Sequence, residues 1–397
     1  MKCLFVAPAL PHPPDSGGRV RTFELLRALA PAVEIHLRAV ARSGADSARD
    51  AAAVAALSGV VKSVELFARS SPGPWRTLTT PCVERWFCSS GLREALGREL
   101  VPSKYDLVHL DEMFLARALP SQCSTPVVIH HHKLDLEYFA DLPGPRGFRQ
   151  AFDLMKLERL ERFAARRSPH HVVTSQEDAR RLSHRRPGLS PAVVESGFDP
   201  LRFHPDTAEN ARRRADEILF LGSLDYGPNL DGLAWWIREV LPLVRNARPG
   251  LRLSVVGSRP GPAARALCDE AQTSAPDSVR LEADVADVVP HLRRAALLVI
   301  PLRIGGGTRL KLVEAAATGT PVVSTQVGAE GLAFRGEEHL GLADSAPDFA
   351  REVLDVLARP AAAAQRALRA RQLALERYTW SALAPKLLSA WERAAAG

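Results

Sequence analysis

Residues 301–332 read PLRIGGGTRLKLVEAAATGTPVVSTQVGAEGL, and this stretch decides the fold. It opens where an apolar strand ends, Ala296-Leu297-Leu298-Val299-Ile300. Gly305, Gly306 and Gly307 follow, then Thr308 and a run with helical spacing from Arg309 to Ala317. Gly319 closes that helix, and Pro321 starts another strand to Thr325. A glycine turn between strand and helix lets backbone N–H groups approach an anion, and the helix N-terminus adds partial positive charge. Arg309 and Lys311 fall in the first turn, where cations oppose the helix dipole. Local stability does not explain them there, and an anion held between loop and helix does. Phosphate or diphosphate is the natural candidate. Glu314 lies deeper, among Leu312, Val313, Ala315, Ala316 and Ala317. It is either a solvated helix residue or, as such small, apolar company suits better, a carboxylate for bidentate hydrogen bonding to vicinal hydroxyls, as on a ribose. The spacing is neither GxGxxG nor the P-loop pattern.

These residues resemble the donor-binding signature of glycosyltransferase family 4, retaining enzymes of the GT-B fold. That signature has two glutamates separated by seven residues, then small residues and Gly-x-Pro-Val-Val. Glu314 matches the second glutamate, and Ala315–Val323 fit the remainder. The first glutamate falls on Gly306, so the chain resembles the subgroup reading G-G-G-T-R-L-K at this point. The resemblance implies two doubly wound parallel-sheet (Rossmann-like) α/β domains facing a cleft, with a C-terminal helix packing back on the first. The expected limits are 1–200, 201–377 and 378–397.

Composition agrees with a protein of this kind. The chain has 397 residues, 46% hydrophobic and 24% charged, which suits two globular domains. No apolar run approaches about 18 residues, so no spanning helix is expected. The N-terminal MKCLFVAPALPHPP reads as a buried first strand and not a signal peptide, and a cytoplasmic location is the expectation. Five cysteines without a CxxC pair indicate reduced thiols and no zinc site. A net charge of +7 suits phosphate-rich substrates or an anionic membrane face and is too weak to imply nucleic acid.

From the N-terminus, strand 2–7, a loop carrying Gly17 and Gly18, and helix 19–30 repeat the strand–glycine–helix plan. A tight turn explains that glycine pair as well as a phosphate does. The family resemblance favours the donor diphosphate. Trp75, Trp86 and Phe87 lie among prolines in 70–91 and either contact an acceptor or membrane interface or cap a core. A strand over 125–129 ends in His130-His131-His132-Lys133. Adjacent strand residues face opposite ways, which argues against one metal held by all three histidines. Ligands gather at the carboxyl ends of parallel strands. The resemblance assigns His132, with His131 as fallback, to the sugar and acceptor, followed by Asp135 and Glu137. The amphipathic run 148–167 interleaves Phe152, Met155, Leu157, Leu160 and Phe163 with basic residues. It suits either an anionic lipid surface or packing within its own domain.

In the second half, strand 217–221 leads into Gly222-Ser223 and a helix over 230–244. Family members carry an arginine and a lysine after this glycine, gripping the diphosphate. Ser223 and Tyr226–Asn229 stand here instead, which makes Arg309 and Lys311 the expected replacements. Asp284 and Val285 lie near the nucleobase by resemblance. The implied activity is transfer of a sugar from a nucleotide-diphosphate donor to a hydroxyl of a glycan, lipid-linked or small-molecule acceptor, without cofactor or metal. A GT-B nucleotide-sugar epimerase and a nucleotide-binding scaffold are the other classes open.

Overall fold

The computed structural model describes residues 1–41, 47–70, 79–85, 87–141, 147–206, 213–307 and 309–397. It divides into two compact units, Met1–Glu195 with Trp380–Gly397, and Ser196–Thr379. The second unit thus starts before the expected residue 201. The reason is local: the Phe198 N–H donates to the Tyr378 carbonyl at 2.9 Å, and Phe198 bridges to Thr379.

The first unit holds a parallel sheet of β1 (Lys2–Ala7), β2 (Glu34–Val40), β3 (Ser63–Phe67), β4 (Leu107–Leu110), β5 (Val127–His130), β6 (His170–Val173) and β7 (Ala192–Val193). Its order is β3-β2-β1-β4-β5-β6-β7. Leu4 and Val6 of β1 enter one apolar cluster, while Phe5 stacks on His109 of β4 at 4.5 Å. A sheet covered on both faces requires such near-continuous apolar strands, which is why they were legible as strands. The C-terminal helix, Trp380–Ala396, belongs to this unit and buries Trp380, Leu383, Leu387 and Trp391.

The second unit holds β8 (Arg214–Leu221), β9 (Arg252–Gly257), β10 (Val279–Ala283), β11 (Ala295–Ile300), β12 (Val322–Ser324) and β13 (Gly341–Leu342). They are all parallel, ordered β10-β9-β8-β11-β12-β13. Ile218 and Phe220 face one core, Leu219 and Leu221 the other. The helix expected over 230–244 is interrupted. It runs Gly227–Trp235, passes through a π-helical turn at Trp236–Val240, and resumes at Leu241–Ala247. Pro242 lacks the N–H that a continuous helix needs, so the chain re-registers before it.

Strand order reverses beside the first strand of each sheet, between β1 and β4 and between β8 and β11. Carboxyl ends of strands at such a switch point are where open α/β sheets bind ligands. β1 is followed by a loop that ends at Gly17–Gly18, the first residues of a helix; β8 leads directly into Gly222–Ser223, and β11 into Gly305–Gly307.

Candidate functional site

In the second unit the helix Leu310–Ala317 carries no acidic residue in its first turn, and its N-cap, Arg309, makes no side-chain capping bond. Gly305 and Gly307 take φ of +127° and +75°, a region that favours glycine. Gly306 differs: its φ is not in that region, and a Cβ there would meet nothing within 4 Å. The backbone therefore does not exclude a side chain where the family pattern has its first glutamate.

Arg309 and Lys311 part company. Arg309 is buried, and its guanidinium donates to the carbonyls of Gly306, Gly307 and Val327. It braces the glycine loop from behind, so the expectation that both residues grip a diphosphate is corrected for Arg309. Lys311 points elsewhere. Its Nζ donates to Asn229 Oδ1 at 2.8 Å, and Asn229 Nδ2 donates to the Ser223 carbonyl at 2.9 Å. A Cβ on Gly222 would lie 2.6 Å from Asn229 Nδ2 and 2.9 Å from Lys311 Nζ, so any side chain at this turn would have to displace both. Burial, with the Arg309 charge nearby, pushes the Lys311 amine down to about 7, against the pull of Glu314. Burial likewise pushes the Glu314 carboxyl up to about 7, opposed by Arg202 and Lys311.

The residues of the neighbouring strand ends that were expected on the donor side are tied together. Ser223 Oγ donates to Asp225 at 2.9 Å and accepts from the Arg259 guanidinium at 2.8 Å. Arg259 and Asp284 both have positive φ, +53° and +51°, and the Arg259 N–H donates to Asp284 Oδ1 at 2.8 Å. Asp284 thus spends its side chain on the turn after β9, while Val285 packs on the core. Thr308 lies outside the described residues.

In the first unit the helix Gly17–Leu29 also begins without a side-chain cap or acidic residue. A Cβ on Gly18 would sit 3.7 Å from His132 Nδ1. His132 Nε2 is 2.9 Å from Asp111 Oδ1, and Asp111 Oδ2 accepts from Thr22 at 2.7 Å. Burial alone would lower the His132 pKa, but the charge and hydrogen bond of Asp111 outweigh it and hold the ring above its ordinary value. Beside it, burial pushes the Glu112 carboxyl up to about 7, against the charges of His132 and Lys133. Glu112 Oε2 is buried without a hydrogen-bond partner among the described residues.

The fallback residue is corrected. His131 turns to the interior, as strand alternation requires, and its Nε2 lies 2.8 Å from His171 Nδ1. Burial holds it well below the ordinary histidine range. Asp135 is buried and bound to Lys133 at 2.8 Å, and Glu137 pairs with Arg185. Neither acid is presented as a bare carboxylate. Trp75 and Trp86 lie outside the described residues. On the helix Phe148–Arg167, Lys156 pairs with Asp153, Arg162 with Glu158, and Arg167 with the carbonyls of Pro120 and Ser121. Arg185 and Arg186 add pairs to Glu161 and Glu158. Much of the positive charge that suggested a lipid surface is neutralised within the unit. No helix among the described residues is long and apolar enough to cross a membrane.

Sequence reasoning missed Asn229, Asp111 and Arg259. Asn229 carried a signal, a polar residue at the head of an apolar helix. The other two became visible only through their partners.

Comparison with known proteins bears on both units. Residues 16–202 match the family model described as Glycosyltransferase Family 4, and residues 215–359 that of Glycosyl transferases group 1. A glycogen synthase of Mycobacterium tuberculosis is 31% identical over 205 residues, 50% of this chain and 47% of its own length. The chain thus spans about half the length of this curated relative. The Anabaena HepE protein, solved in complex with UDP-glucose, superposes with a TM-score of 0.71 at 15% identity, covering 99% of this chain and 100% of that one. Sucrose-phosphate synthase of Thermosynechococcus elongatus superposes with a TM-score of 0.73 at 18% identity, covering 99% and 98%. The fold is of the GT-B type, and both halves of the chain carry glycosyltransferase family domains.

Proposed function

We propose that this chain, with a glycosyltransferase family domain in each half, is a retaining glycosyltransferase that uses a nucleotide-diphosphate sugar. One observation carries the reading: the Lys311 amine, hydrogen-bonded to the neutral amide of Asn229 and set over the Phe220 ring, stands against the Gly222 turn at the head of an uncapped helix. A buried amine pushed to about 7 gains most from an anionic ligand, which returns its proton and its charge.

In this reading the diphosphate lies on the N–H groups of the Gly305–Gly307 loop and the helix behind it, with Lys311 as its cation. Arg309 acts through the loop that it braces. Glu314 accepts the ribose hydroxyls, and the backbone at Asp284 and Val285 borders the base. Positive charge stabilises the departing diphosphate as the glycosidic bond breaks, which is where an enzyme gains most. The acceptor hydroxyl attacks from the face that the diphosphate leaves and passes its proton to the departing phosphate oxygen, so configuration is retained. His132, above Gly18, is assigned to the sugar and acceptor. We assign no metal to the reaction, because Lys311 and the loop N–H groups supply the positive charge.

Fluoride-free transfer assays with UDP-, GDP-, ADP- and dTDP-sugars, read by proton NMR of the anomeric signal, test this. The product should keep the donor's anomeric configuration, and EDTA should leave the rate unchanged. An inverted product, or release of nucleotide without glycoside, would overturn it.

A further inference from the structure

One cluster in the first unit looks like a metal site and, by its proton inventory, is something else. His109, Asp111 and His130 are buried, and one ligand atom from each lies within 4.8 Å of the others. Among the described residues this is the group with metal-ligand spacing. The two histidine nitrogens that face inward are His109 Nε2 and His130 Nδ1, 3.9 and 3.7 Å from Asp111 Oδ1. Neither has a hydrogen-bond partner among the described residues.

The opposite nitrogens decide the matter. The Trp391 indole N–H donates to His109 Nδ1 at 2.9 Å. An indole has no acceptor, so His109 Nδ1 must carry the lone pair. Burial keeps this ring neutral, pushing its pKa down to about 3. Its one proton is therefore on Nε2, facing Asp111. The same logic holds for His130. Its Nε2 is 3.1 Å from an Arg21 guanidinium nitrogen, which also can only donate. Burial keeps His130 neutral too, so its proton is on Nδ1 and again faces Asp111. A metal ion at this point would meet two N–H groups, and each ring would have to become an imidazolate to bind it. The buried Arg21 cation adds repulsion.

The centre is thus built for a fixed anion, and the anion is Asp111. Its Oδ1 faces three imidazoles, of which only His132 comes within hydrogen-bond distance, at 2.9 Å. Its Oδ2 is held by Thr22. The chain closes this arrangement from far away, since Trp391 stands on the C-terminal helix, 282 residues from His109. We propose that Asp111, His109 and Trp391 are positioning residues for His132: the indole sets the His109 tautomer, the His109 N–H faces the carboxylate, and the carboxylate fixes the His132 ring with Nδ1 toward Gly18. The role of His132 toward substrate rests on the proposed function; the proton arrangement does not.

The other groups around His132 are Arg21 from the first helix, Glu112 beside Asp111, and His131 and Lys133 beside His132 itself. Asp135 adds its charge near Glu112. None of them donates to His109 Nδ1 or replaces Asp111 at His132 Nε2.

Full-length protein labelled with nitrogen-15 at histidine tests this by long-range proton–nitrogen NMR from pH 5 to 9. Wild-type His109 should carry its proton on Nε2 and His130 on Nδ1 across that range. His132 should titrate above 6.5 and keep a proton on Nε2 throughout. Asp111→Asn should lower the His132 midpoint by at least about one pH unit. Trp391→Phe, which keeps an aromatic side chain and removes the N–H, should give His109 a mixture of both tautomers. Two equivalents of zinc chloride should leave the His109 and His130 signals in place. The opposite tautomers in wild type, a zinc-shifted pair, or an unmoved His132 midpoint in Asp111→Asn would each overturn the proposal. The wild-type spectrum suffices even if a variant does not fold. No readout requires turnover, so failure of the transfer assay and failure of this arrangement are separate results.

Discussion

Gly18 and Gly222 both follow the first strand of a sheet beside its switch point, Gly222 directly after β8 and Gly18 in the first turn of the helix that follows β1. What stands behind each differs. Gly18 has His132 Nδ1 at 3.7 Å from its Cβ position, an ordinary contact, and that histidine is charge-balanced by Asp111. Gly222 has Lys311 Nζ at 2.9 Å and Asn229 at 2.6 Å from its Cβ position, and that lysine is hydrogen-bonded to an amide. One turn is complete within the protein. The other holds a desolvated amine that an incoming anion would satisfy. Two units with one topology can thus divide the work by what is placed behind a glycine.

The largest effect should come from removing the buried amine. Lys311→Met should lower nucleoside-diphosphate affinity by about 100-fold, because a charge-assisted contact in a desolvated site is lost. It should also raise the melting temperature of the free protein, since a buried amine is replaced by an apolar chain of similar size. Calorimetry and thermal unfolding check both, and a stabilised variant that still binds would break the contrast with His132.

The glycines should respond unequally. Gly222→Ala should push Asn229 and Lys311 apart and reduce diphosphate affinity about 10-fold, while Gly18→Ala should fold and melt within about 1 °C of wild type. Equal losses in the two would show that the contacts behind the turns are not what separates them.

Proton linkage sharpens the same point. An anion raises the Lys311 pKa from about 7 on binding, so binding takes up a proton above that pH. Affinity for inorganic pyrophosphate should therefore be greatest below pH 7 and fall as pH rises. Lys311→Arg removes this linkage, since guanidinium does not titrate in the range, and retains the ionisation of the ligand and of Glu314. Titrations at pH 6, 7 and 8 with both proteins give the difference, and identical profiles would remove Lys311 from the site.

The smallest effect lies in the glycine loop. Gly306→Glu should leave the melting temperature within about 1 °C, whereas Gly305→Ala, at φ +127°, should cost about 1 kcal/mol or more. A strongly destabilised Gly306→Glu would mean that the backbone, and not the choice of side chain, excludes the family's first glutamate.

The parallel sheets were legible in the sequence because strands such as Ile218–Leu221 are buried on both faces, and so were the glycine turns at their carboxyl ends. His132 was singled out by the family resemblance, Lys311 because a cation in the first turn opposes the helix dipole, and Glu314 because of its small, apolar neighbours. The different fates of Arg309 and Lys311 were not legible. They are two residues apart and of one charge, and what separates them is the carbonyls of Gly306, Gly307 and Val327. Nor could the sequence couple Trp391 to His109, because that hydrogen bond exists only once the C-terminal helix has joined the first unit.

The central claim is tested most directly by calorimetric titration of UDP, GDP, ADP and dTDP without added metal, into wild type, Lys311→Ala and Glu314→Ala. The account predicts micromolar binding of one diphosphate by wild type and its loss in both variants. Binding of none by the folded wild type, or undiminished binding by Lys311→Ala, would contradict it.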